Sequence, residues 1–149
     1  MMRQQTFLYI AFGIALTSLI NACTSTGSAS SNISNTLQSM TGQNGRACID
    51  AGDIRGYGVL DRNVISINAF NKYYLATVLP GCTDLEVSSR AIFEQRFAEV
   101  CGGGMNSLKT AGDKCTIRSI FEFENRNEAF AAHEAAIQQL KKLQEEENN

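Results

Sequence analysis

The chain has 149 residues, with 13 Lys and Arg against 15 Asp and Glu and a formal charge of −2 at neutral pH. A near-neutral chain with no basic run and no interleaving of aromatic and basic residues lacks the electrostatic footprint of a nucleic-acid binder. Its length suits one small domain.

The first 22 residues read as a secretory leader, because Arg3 supplies a positive start and "FLYIAFGIALTSLI" an apolar core of signal-peptide length. The run falls short of the roughly 20 apolar residues that a membrane-spanning helix needs. Leu19, Ile20, Asn21 and Ala22, just before Cys23, resemble the lipobox of bacterial lipoproteins, with an aliphatic residue three before the cysteine and a small one next to it. The resemblance implies a diacylglyceryl group on the Cys23 thiol and cleavage before it. With Thr24 following rather than aspartate, it also implies transport to the outer membrane. A lipid there anchors the chain to a membrane without crossing it.

Residues 24–45 contain no charged residue and are dominated by Ser, Thr, Asn and Gly. Such a composition buries too little apolar surface to offset its ordering entropy, so residues 23–45 are expected to be a flexible tether with an rms reach of roughly 25 Å. Ile33, Leu37 and Met40 stand at helical spacing and offer a short amphipathic turn as the alternative.

At Arg46 apolar residues, aromatics, charges of both signs and four further cysteines begin. Short apolar runs punctuated by "DRN" and "NK" predict a three-stranded meander at 55–60, 64–69 and 73–79. The alternation of Val64, Ser66 and Asn68 against Ile65, Ile67 and Ala69 predicts an antiparallel sheet with one face covered. Between 84 and 100, Leu85, Val87, Ile92, Phe93 and Phe97 fit neither the strand nor the helix period. A last strand is expected from Cys115 to Phe123, then a helix over 127–145 with Asn125 or Asn127 as N-cap. Phe130, Ile137 and Leu140 give that helix a partial apolar stripe, and Glu145, Glu146 and Glu147 oppose its dipole, so its end is expected to fray. The expected class is α+β: a cysteine-stapled, mostly antiparallel domain over 46–125, followed by a helix and acidic tail over 126–149.

Setting aside Cys23, four cysteines remain, an even number that supports two disulfides in an oxidising compartment. Cys48, Cys82, Cys101 and Cys115 contain no CxxC pair, which argues against a zinc knuckle or a thioredoxin-type site. Three pairings are possible. The preferred one joins Cys101 to Cys115, closing the polar loop "GGGMNSLKTAGDK", and Cys48 to Cys82. A 14-residue closure contributes on the order of 3 kcal/mol in the chain-entropy model.

Candidate chemistry is sparse. His133 is the single histidine, on the predicted helix, and reads as an exposed residue with no role. "CGGGMNSLKT" offers glycines, a serine and a lysine without the GxxxxGK[ST] order of a phosphate loop. Asp50, Asp53 and Asp61 stand near Arg46, Arg55 and Arg62, mixed signs that suit a solvated surface better than a carboxylate pair for hydrolysis. No catalytic residue, metal or cofactor is expected.

The order "RACIDAGDIRGYGVLD", "YYLATVLPGC", "CGGG" and "DKCTIRSI" resembles small four-cysteine proteobacterial envelope lipoproteins classed as a domain of unknown function. The resemblance spans about residues 46–122, through the four cysteines with Ile54, Tyr57, Asp61, Tyr74, Leu75 and Asp113 between them. It implies a Gram-negative source and a compact stapled domain, carries no activity, and leaves the C-terminal helix outside. The expected function is a non-enzymatic outer-membrane lipoprotein facing the periplasm, with a membrane contact through its lipid and a periplasmic protein as partner. The alternative is an inhibitor of a cell-wall-degrading enzyme such as lysozyme, acting through the loop that carries Lys109 and Lys114. The helix is expected to dock on its own sheet.

Overall fold

The structure is a computed structural model, and it describes residues 32–88, 90–94 and 98–148. The leader and Cys23 lie outside these residues. The expected tether does not extend to residue 45, because a helix, α1 (Ile33–Thr41), occupies its second half. The Asn32 side chain caps its start by accepting from the Asn35 amide at 3.1 Å, and Gly42 closes its end in the left-handed conformation with φ 70°. The polar composition misleads because its hydroxyls are satisfied inside the fold. Ser34 Oγ meets Ser119 Oγ at 2.6 Å, Thr36 Oγ1 donates to the Asn32 carbonyl, and Leu37 is fully buried.

The predicted meander is present as β2 (Ile54–Asp61), β3 (Val64–Ala69) and β4 (Tyr73–Val78), preceded by a short strand, β1 (Cys48–Asp50). The stretch with no clear period holds two three-residue strands, β5 (Ile92–Glu94) and β6 (Glu99–Cys101). They are too short to show alternation. A short β7 (Ser107–Lys109) leads into β8 (Lys114–Phe123), the expected last strand and the longest. The main sheet is antiparallel in the order β2-β3-β4-β8-β7-β5, and β1 pairs with β6 in a separate ribbon.

Only one face of the meander was expected to be covered, and both are. On one face Ile65, Ile67, Tyr74, Ala76, Ile117 and Ile120 pack with Ile49 and Val100 of the β1–β6 ribbon and with Leu85. On the other, Val64, Leu75 and Phe121 pack beneath Leu37 of α1 and the C-terminal helix α2 (Arg126–Glu147). This second face looks wetter in sequence because Ser66 and Thr77 lie on it, yet both are buried. Each fully buried large side chain contributes roughly 1.5–3 kcal/mol.

The α2 helix docks on its own sheet, as expected. Ala129 and Ala136, seven residues apart, are both fully buried, so the helix backbone comes close to Phe121 and Leu75. Asn125 is the N-cap and accepts from the Glu128 amide at 3.1 Å, while Glu128 accepts from the Glu124 amide and the Asn125 side chain. These reciprocal bonds resemble a capping box, with the glutamate reaching the amide one residue before the N-cap. Among the described residues no helix is long and apolar enough to cross a membrane.

Candidate functional site

The disulfides follow from the strand pairing and differ from the preferred assignment. Cys48 and Cys101 are direct partners in the β1–β6 register and are joined, with Cα atoms 4.0 Å apart. The Gly102 amide donates to the Ala47 carbonyl just outside them, which makes this a non-hydrogen-bonded pair, where facing side chains come closest. Cys82 joins Cys115 across 5.4 Å. The loop 102–114 is therefore not closed by its own flanking cysteines; β7 and β8 hold it instead. Cys48 is exposed, whereas Cys82 and Cys115 are 5% and 2% exposed. The Cys48 and Cys101 sulfurs also lie within 4.8 Å of a Glu99 carboxylate oxygen, but the disulfide leaves no thiolate there to ligate a metal.

The glycines of "CGGG" have structural duties. A Cβ on Gly102 would stand 2.1 Å from the Gly45 carbonyl oxygen, and Gly103 and Gly104 have φ of 110° and 86°. Their amides donate to the Arg118 and Ile117 carbonyls, so they seat the loop on β8 and leave no cradle for phosphate. The loop's two lysines are both tied to Glu94, at 3.8 Å for Lys109 and 2.7 Å for Lys114. Lys114, and then Ser107, hold the Glu94 carboxyl below its ordinary pKa.

Asp113, part of the family-like pattern, braces the turn after Cys82. Its carboxylate accepts from the Asp84 amide at 2.7 Å and from Thr83 Oγ1 at 3.2 Å. Asp84 in turn accepts from Ser88 Oγ and the Gly112 amide, and hydrogen bonds from Ser88, Thr110 and Gly112 lower its pKa. The pair is a structural clasp around the second disulfide. Asp50 caps the turn at Gly52 and Asp61 accepts from the Arg62 amide. Asp53 is likewise exposed, and among the described residues no ion pair joins any of these three to Arg46, Arg55 or Arg62.

His133 was expected to be exposed and is half-buried. Its Nε2 is buried without a hydrogen-bond partner among the described residues. Burial lowers its pKa against the opposing pull of Asp61 and Glu134. Among the described residues no hydrogen bond to Nε2 orients it as a general base.

The most site-like feature was missed in the sequence. Along β2, Tyr57 and Val59 point into the core, while Gly56 and Gly58 fall on the helix-side face opposite Asn68 and Ser66 of β3. Two strand glycines in alternation leave a trough beside α2, a groove of about 420 Å³. Its wall carries the Tyr73 and Phe130 rings, 6.0 Å apart, and Arg126, whose guanidinium lies 4.8 Å above the Phe130 ring. Among the described residues Arg126 has no carboxylate partner in an ion pair. A second depression of about 380 Å³ shares Asn68, Tyr73 and Arg126 and extends to Phe70, over which Arg55 stacks at 5.4 Å. The signal was available in "RGYGVLD", where a strand keeps both glycines on one face.

The sequence matches a family of unknown function, DUF6491, over residues 4–148. The chain belongs to that family. The match takes in α2, so the C-terminal helix is not the addition that the narrower resemblance over 46–122 implied. No curated protein and no solved structure matches the chain.

Proposed function

We propose that this chain is a lipid-anchored protein of a Gram-negative envelope, held at the outer membrane through Cys23 and folded on the periplasmic side as a non-enzymatic binding or assembly module. The observation that carries the reading is the cysteine pairing. Cys48–Cys101 and Cys82–Cys115 use four of the five cysteines, and the remaining one stands at the lipobox-like junction after the leader. Two disulfides suit an oxidising compartment. The start of α1 at Ile33 also tightens the anchor, since nine residues from Cys23 to Asn32 span at most about 32 Å. The domain would sit close to the headgroups. The lysozyme-inhibitor reading has no comparable support, because Glu94 occupies both lysines of its loop.

Mass spectrometry of unreduced protein from native membranes tests this reading. Acyl chains on an N-terminal Cys23, with the two linked pairs intact, are the expected result. An unacylated chain that keeps its leader would overturn it.

A further inference from the structure

Gly56 and Gly58 lack the usual reasons for glycine. Neither has a positive φ. A Cβ on Gly56 would meet nothing within 4 Å, and one on Gly58 would meet only the Ser66 hydroxyl, at 3.2 Å. Glycine inside a strand costs about 0.5–1 kcal/mol relative to alanine and marks places where another group approaches the backbone closely. Among the described residues no other group does so over this face of β2, which lines the groove beside α2.

The chemistry around the trough says what would approach. Backbone donors and acceptors of β2 and β3 lie in the sheet plane and do not project from this face, so a peptide laid across the glycines finds no ladder to join; the open edge of β2 is a separate surface. What the face does present is rings, a side-chain amide and a guanidinium. The Tyr73 ring and the Arg126–Phe130 stack offer apolar flanks, and Asn68 is exposed on the floor. Stacking fixes the Arg126 plane while leaving donor edges free for a planar oxyanion. The volume falls within the range of small-ligand sites.

We propose that the groove between β2 and α2 binds a carboxylate-bearing saccharide, with its ring over Gly56 and Gly58, its apolar face against Tyr73 and its carboxylate on Arg126. Under the envelope reading, such a ligand is present in the cell wall as N-acetylmuramic acid units whose stem peptide has been removed, since the peptide's amide bond otherwise consumes the carboxylate. The groove rests on the binding-module part of that reading and not on the lipid.

The test is amide-shift mapping by NMR on the full chain, expressed with isotope label and purified in detergent. The probes are the disaccharide of N-acetylglucosamine and N-acetylmuramic acid, neutral chitobiose, and a free wall tetrapeptide. Expected are shifts of the Gly56, Gly58 and Asn68 amides with the acidic disaccharide, with binding at least tenfold weaker for chitobiose and for Arg126→Ala. Gly56→Val, whose side chain enters open space, should abolish the shifts while melting no lower than the wild type. No shift at these amides, shifts with the tetrapeptide alone, or full binding by Gly56→Val would overturn the proposal. Binding by a chain that carries no lipid on Cys23 would keep the groove and remove only the anchor.

Discussion

Tyr57 and Phe93 meet edge to face, ring centroids 6.0 Å apart and planes at 89°, although they belong to β2 and β5, the two opposite edge strands of the six-stranded sheet. Edge strands that touch through their inward rings mean that the sheet curls around the core of Ile65, Ile67, Ile117 and Ile120. Curling leaves its outer face to the two helices. It also sets β2 beside α2 with the trough between them.

Leu37 separates a helix that belongs to the core from a tether that does not. Leu37→Ala is expected to destabilise the domain by about 2–5 kcal/mol, the range for a fully buried leucine, as measured by denaturant titration. A change near zero would return residues 33–41 to the tether.

Gly102 is the least replaceable residue of the glycine run. Gly102→Ala drives a methyl into the Gly45 carbonyl and against the Ile120 amide, backbone that cannot swing aside, so a loss of about 3 kcal/mol or more is expected. Gly103→Ala, strained only by its φ, should cost about 1–2 kcal/mol. Thermal melts followed by circular dichroism would rank the two, and the reverse order would mean that the loop does not sit on β8 as described.

His133 makes stability depend on pH in one direction. Its folded pKa lies below the ordinary value near 6.5, so the unfolded chain binds the extra proton more readily. The neutral-form stability is fully present above about pH 6.5 and declines as pH falls through that value toward the folded pKa. His133→Gln should therefore show a smaller drop in melting temperature between pH 7 and pH 5 than the wild type. Parallel pH profiles for the two proteins would contradict the burial of Nε2.

The two disulfides should differ in access to reductant. Mild thiol treatment without denaturant is expected to free Cys48 and Cys101 for alkylation well before Cys82 and Cys115, read by peptide mapping. Closures of 53 and 33 residues give the chain-entropy model about 4 kcal/mol each, so full reduction should also lower the melting temperature. Simultaneous loss of both bonds would mean that the second is not shielded.

Much of the architecture was legible where one physical signal dominated. The meander, β8 and α2 were read close to their observed ends because β-branched runs, turn residues and a long Ala- and Glu-rich stretch each point one way. α1 was legible only as the alternative to a tether, from Ile33, Leu37 and Met40 at helical spacing, since its burial rests on Ser34, Thr36 and Leu37 meeting a sheet built by residues far along the chain. The cysteine pairing failed for the same reason. Cys48 faces Cys101 only once β1 pairs with β6, and β6 is three residues long. The groove needed both the parity of two glycines along β2 and the return of α2 to their face, and sequence carries only the first.

The bonds among the four domain cysteines interleave along the chain: the first of these, Cys48, joins the third and the second joins the fourth. A chain emerging from its N-terminus therefore exposes Cys48 and Cys82 together before either native partner has appeared. The earliest bond available is a wrong one. Correct oxidation must either wait for Cys101 or undo a premature link, which makes the maturation of this domain dependent on thiol exchange and on the order in which its segments become available.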